Sequence, residues 1–126
     1  MKIDRIDHFV ITARDVGKTA EFYRRVLGME IVTFAGGRIA LTFGRQKINL
    51  HQAGAEVQPH AAAPQVGGAD FCLIAEGAIE EIAAHIEGNG VTLEIGPSPR
   101  TGATGAITSV YFRDPDGNLV EVATYD

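Results

Sequence analysis

The chain has 126 residues, 45% hydrophobic and 21% charged, with a formal net charge of −5 at pH 7. That length suits one compact domain. The acidic balance and scattered basic residues argue against a nucleic-acid groove, and no stretch approaches the roughly 20 apolar residues of a membrane span. The N-terminus, Met1-Lys2-Ile3-Asp4-Arg5, lacks the apolar core of a signal peptide. The single cysteine, Cys72, cannot close an internal disulfide and lies in an apolar run, so a buried position is expected. Together these features point to a cytoplasmic protein in a reducing compartment.

Residues 5–13 alternate as a strand, with Ile6, His8, Val10 and Thr12 on one face and Phe9 and Ile11 on the other. Asp15 is placed to N-cap a helix whose apolar positions include Val16, Ala20, Tyr23 and Val26, and Gly28 to end it. Three short strands follow at 30–34, 38–43 and 47–52, turning at Gly36-Gly37 and Gly44-Arg45. Residues 54–67 have no periodicity and two prolines, and read as a linker. A strand is expected at 70–75 and a helix at 79–87 with Ile79, Ile82, Ala83 and Ile86 on its buried stripe. A strand at 91–94 then leads into 96–105, too rich in Gly and Pro for regular structure and long enough to be a functional loop. Strands at 106–113 and 119–123 flank the turn Asp114-Pro115-Asp116-Gly117-Asn118.

The order β-α-β-β-β therefore occurs twice, in a first module at about 1–53 and a second at 68–126. The fold class is α+β, with two curved sheets forming a cleft for a small ligand. Asp7-His8-Phe9-Val10-Ile11 matches Ala69-Asp70-Phe71-Cys72-Leu73 at an offset of 62 positions, which also relates Gly28 to Gly90. Late in each unit the offset reads as 70, aligning Ile48-Asn49-Leu50-His51 with Asn118-Leu119-Val120-Glu121. His8 is thus paired with Asp70, and His51 with Glu121.

His8, His51 and Glu121 are the expected metal ligands. Two imidazoles and one carboxylate with open positions suit one divalent transition ion per site, Ni, Zn, Mn or Fe. Asp70 is open between three roles: a ligand, a partner orienting a histidine, and a strand-start residue bonding to turn amides. His60, in the linker, reads as solvent-exposed, and His85 sits near a helix C-terminus where positive charge is favourable.

Ile6-Asp7-His8-Phe9-Val10, Phe22-Tyr23 before Leu27-Gly28, and the run Phe112 to Glu121 through Asp114-Pro115-Asp116-Gly117-Asn118 together resemble the vicinal oxygen chelate superfamily. Its members include glyoxalase I, fosfomycin resistance proteins, extradiol dioxygenases and bleomycin resistance proteins. Gln46-Lys47-Ile48-Asn49-Leu50-His51 and Arg100-Thr101-Gly102-Ala103-Thr104-Gly105 are similar to a glyoxalase-domain-containing subgroup that includes a bacterial virulence-associated protein. The resemblance implies paired βαβββ modules, a homodimer, and a substrate chelated through two oxygens. It matches His8 and Glu121 to the family's ligands. His51 falls where bacterial glyoxalase I has a glutamate, and Asp70 where it has a histidine.

Three functions compete. The first is a metal-dependent lyase or isomerase of the glyoxalase type, with Glu121 or Asp70 as the base. The second is an Fe(II) ring-cleaving dioxygenase. The third is a metal-free drug or metabolite binder, against which His8, His51 and Glu121 argue. Arg100 and Thr101, on a glycine-rich loop, are expected to bind an anionic part of the substrate, with Lys47 a further contact; Arg100 equally suits a solvated loop, and Lys47 suits a solvated surface better than the cleft. Tyr111 and Phe43 read as core aromatics or pocket walls.

Overall fold

The computed structural model describes all residues, 1–126. The chain divides into two compact units, 1–67 and 68–126. In the first, β1 (His8–Ala13) is followed by α1 (Val16–Leu27), β2 (Glu30–Phe34), β3 (Arg38–Phe43) and β4 (Gln46–Gln52). The second repeats this order with β5 (Asp70–Ile74), α2 (Ile79–Gly88), β6 (Ile95–Thr101), β7 (Ala106–Arg113) and β8 (Leu119–Tyr125). Each unit is a βαβββ module holding one four-stranded sheet, ordered β1-β4-β3-β2 and β5-β8-β7-β6. No helix is long and apolar enough to cross a membrane.

Each helix crosses one face of its own sheet and buries an apolar stripe there. Thr19, Ala20, Tyr23 and Val26 of α1 lie over β2, β3 and β4. Ile11, Leu41, Ile48 and Leu50 supply buried apolar residues of the same unit, each stabilising by about 1.5–3 kcal/mol relative to exposure. In the second unit Ile79, Ala83 and Ile86 of α2 are buried, with Val110, Phe112, Val120 and Val122 from β7 and β8. Strand alternation sends every second residue to the face away from the helix. His8, Lys47 and Glu121 all belong to that second set.

The local signals for α1 hold. Asp15 Oδ1 accepts from Lys18 N at 3.1 Å, and Gly28 ends the helix at φ 69° with its N–H on Arg24 O. The segment after α2 departs from expectation. Residues 91–94 form no strand; residues 96–101, read as part of a loop, belong to edge strand β6, Ile95–Thr101. Two prolines are tolerated because an edge strand needs only one set of ladder bonds. The register shifts between Ile95 and Ser98, and a Cβ on Gly96 would stand 2.3 Å from Ser109 O. Glycine is thus required where β6 closes against β7.

The Asp114–Asn118 turn is a fastener. Asp114 Oδ1 accepts from Asp116 N and Asn118 N, and its Oδ2 from Asn118 Nδ2 at 2.7 Å. Asn118 Oδ1 in turn accepts from Ala69 N at 2.8 Å. Asp114 and Asn118 are both buried. The network joins the β7–β8 turn to the start of β5, and so sets where Asp70 and Glu121 stand.

Candidate functional site

Strand pairing fixes which residues are neighbours on the open face of each sheet. In the first unit β1 and β4 run parallel with His8 opposite Lys47, Val10 opposite Asn49 and Thr12 opposite His51. In the second, β5 and β8 run parallel with Asp70 opposite Leu119 and Cys72 opposite Glu121. His8 and Asp70 are therefore equivalent, as the sequence repeat indicates. The late offset is 72, not 70: the residue equivalent to Glu121 is Asn49, and His51 corresponds to Ala123. Lys47 N donates to Asp7 O just as Leu119 N donates to Ala69 O, which fixes the same correspondence independently.

This register separates the two histidines. His8 and His51 share a face but lie four residues apart along adjacent strands, about 13 Å at the usual rise. Asn49 is the nearer partner of His8, one pleat along, about 8 Å between backbones, and Asp70 and Glu121 stand in the same diagonal relation. No group of three or more His, Cys, Asp or Glu side chains is assembled to hold a metal ion.

On the first unit's open face, His8 is half exposed and its Nδ1 lies 2.8 Å from Asp7 Oδ2. Asn49 and His51 are buried, and Asn49 Oδ1 and both His51 ring nitrogens lack any hydrogen-bond partner. Such orphaned groups cost about 1–3 kcal/mol each. Burial, then the charges of Arg38 and His60, hold the His51 pKa below its usual value, against an opposing pull from Glu56. His51 also lines a cavity of about 320 Å³ at the end of the sheet. Lys47 Nζ rests 3.9 Å from the centre of the Phe34 ring. His60 is exposed, as is His85 on α2.

On the second unit's open face, Ser109 is fully buried and donates to Glu121 Oε2 at 2.6 Å. Tyr111, opposite Glu121 on β7, shares this face and its hydroxyl accepts from Arg100 Nε at 3.0 Å. The Arg100 guanidinium also lies over the Tyr111 ring, 5.4 Å from its centre. Arg100 is thus a strand residue braced along an aromatic ring, while Thr101 is exposed at the strand's end. Ser98 Oγ, opposite Ser109, is buried and unpartnered. Arg113 grips both carboxylate oxygens of Glu94 at 3.1 Å. Asp70 is exposed.

Cys72 corrects the expectation of a buried thiol. It is exposed, because β5 is an edge strand and alternation turns Asp70, Cys72 and Ile74 away from α2. Partial burial of the sulfur, then the adjacent Glu121 carboxylate, push the thiol pKa up to about 11. The open-face roles of Asn49 and Ser109 were missed from sequence, while Tyr111, read as a core aromatic or a pocket wall, lies on the open face. For Asn49 the signal was present, since it shares alternation with His51, but the register that selects it was not.

Among known proteins, the chain is 50% identical over 125 residues to virulence protein STM3117 of Salmonella typhimurium, covering 99% of this chain and 87% of that protein. An integron cassette protein from the mobile metagenome of V. cholerae superposes with a TM-score of 0.98 at 56% identity, covering 100% of this chain and 98% of the other. A lactoylglutathione lyase from Agrobacterium tumefaciens superposes with a TM-score of 0.75 at 28% identity, covering 98% and 95%. A family model matches residues 5–122, spanning both modules, and the chain belongs to the Glyoxalase/Bleomycin resistance protein/Dioxygenase superfamily.

Proposed function

We propose that the chain is a divalent-metal-dependent lyase or isomerase of the glyoxalase type, acting on a small oxygenated substrate. The observation that carries this reading is Glu121, a carboxylate held at 2.6 Å by the hydroxyl of a fully buried serine, with Asp70 one pleat away on the next strand. Asp70 and Glu121 would hold the cation, and His8 and Asn49 are the equivalent donors of the first unit. The first unit's equivalent pair also offers donors to an ion: Asn49 Oδ1 is buried with no partner, and Asp7 engages His8 Nδ1 in the way that orients ligating imidazoles. The two carboxylates of the Asp70 and Glu121 pair are oxygen donors, which favours manganese or ferrous iron over zinc.

A bound cation supplies Lewis-acid stabilisation of charge developing on substrate oxygen. Glu121 takes the proton from the carbon beside that oxygen and returns it to the product. Ser109 keeps the carboxylate in one orientation during the transfer. Arg100, braced by Tyr111, pairs with an anionic group of the substrate. The likeness to a lactoylglutathione lyase favours this class over ring cleavage.

The test joins metal content to proton exchange. Protein purified without chelator is expected to carry stoichiometric manganese or iron, lost in Glu121→Gln and kept in His51→Gln. Deuterium from solvent should enter small 2-hydroxy carbonyl compounds, with the rate falling by a factor of about 10²–10⁴ in Glu121→Gln. Oxygen uptake with catechols would replace this reading by the dioxygenase. No metal after reconstitution would leave a binding protein.

A further inference from the structure

The first unit has a cavity that the donor pairs do not use. It lies where the β2–β3 turn, the end of β4 and the segment after β4 meet, and encloses about 320 Å³, within the range of small-molecule sites. Val16, Ile39, Leu50 and Val57 give it apolar walls, and Arg38 and His51 are its polar side chains in search of partners. Gln52 also lines it but is fully engaged: its Oε1 accepts from Val16 N and its Nε2 donates to Arg14 O. The turn at one side is Gly36-Gly37, at φ 79° and 91°, where no atom lies within 4 Å of a built Cβ, so no side chain crowds that side.

Three observations point to an occupant. His51 is 3% exposed, lines the cavity, and neither ring nitrogen has a hydrogen-bond partner in the protein, so a polar atom of a molecule in the cavity would satisfy it. Arg38 has no carboxylate partner; its guanidinium rests 4.9 Å from the centre of the Phe34 ring. The strand frame does not require a histidine here, because the second unit has Ala123 at the equivalent position. An unpaired guanidinium, an unsatisfied imidazole and apolar walls match a compact molecule with an apolar body and a carboxylate.

We propose that this cavity binds a small organic acid, its carboxylate on Arg38, its apolar body against Val16, Ile39, Leu50 and Val57, and a polar atom hydrogen-bonded to His51. The site stands apart from the metal reading, because neither Arg38 nor His51 belongs to the donor pairs. Benzoate is a suitable probe, with benzyl alcohol as its uncharged counterpart. Calorimetry gives the affinity, and the His51 ring carbon-bound proton, followed by NMR, reports the location. Benzoate should bind saturably and shift the His51 resonance, and benzyl alcohol at least about ten-fold more weakly, a loss of ~1.4 kcal/mol. Arg38→Met should lower benzoate affinity to the level of the alcohol. Val57→Trp, which fills the cavity without touching either polar group, should abolish it. Glu121→Gln should leave benzoate affinity unchanged, so that this site and the metal reading fail separately. Equal affinity in Arg38→Met, an unmoved His51 resonance, or loss of binding in Glu121→Gln would overturn the proposal.

Discussion

The two units share a frame and differ in what the frame carries. Both are βαβββ modules, and both anchor their last strand to the first through the same backbone bond, Lys47 N to Asp7 O and Leu119 N to Ala69 O. The side-chain ties differ. The first unit uses two glutamines of β4, Gln46 Nε2 to Ile6 O at 2.7 Å and Gln52 Nε2 to Arg14 O at 2.6 Å. The second uses the buried Asp114–Asn118 network that reaches Ala69. The open faces differ as well: His8, Asn49 and an extra histidine on the first, Asp70, Glu121 and a supporting serine on the second. Backbone pairing alone therefore reproduces the module, and the open-face positions are free to diverge.

The sharpest break in this comparison is at the ties. Asn118→Ala removes one buried and one part-buried hydrogen bond and takes from Ala69 N–H its side-chain acceptor, so a loss of about 2–4 kcal/mol is expected. Gln46→Ala removes a single, more exposed bond and should cost about 1 kcal/mol or less. Urea unfolding of the two variants measures the difference, and equal losses would remove the distinction between the units.

The helices offer a second contrast. Asp15 caps α1 through Lys18 N, whereas Ala78 at the start of α2 makes no side-chain cap bond. Asp15→Ala should destabilise by about 1 kcal/mol, and Ala78→Asp should stabilise by about 0.5–1 kcal/mol. Thermal and urea midpoints moving in opposite directions would bear this out; no gain in Ala78→Asp would mean that backbone geometry at α2 already compensates.

The smallest expected effect concerns His51 against its alanine counterpart. Its folded pKa lies below the usual histidine value of 6.5, chiefly through burial. The unfolded chain therefore takes up the proton at higher pH than the native one. The stabilisation is full above pH 6.5 and is lost as pH falls from there through the folded pKa. His51→Gln should flatten this part of the stability profile, measured by unfolding at a series of pH values. An unchanged slope would locate the acid sensitivity elsewhere.

Much of the frame was legible in the chain. Tandem helices, the Asp15 cap, Gly28 and the Asp114–Asn118 turn follow from local chemistry, because caps and turns need particular residues at particular φ. The pairing of His8 with Asp70 was legible too, since β1 and β5 begin before any insertion. The pairing of His51 with Glu121 missed by two residues. A two-residue error keeps the face of a strand and moves the choice one pleat along, so alternation could not reveal it.

What the sequence determined by itself was the module, its repetition and the face on which each polar residue lies, all consequences of periods of 3.6 and 2 along a single chain. Tertiary structure decided the rest. Asn49 rather than His51 became the equivalent of Glu121, because register is a property of two strands and neither carries it alone. The Gly-Pro segment became β6, because β7 supplied its ladder and an edge tolerates proline. Cys72 came to face outward at an edge, because burial depends on what covers a strand, and that is set by sheet order.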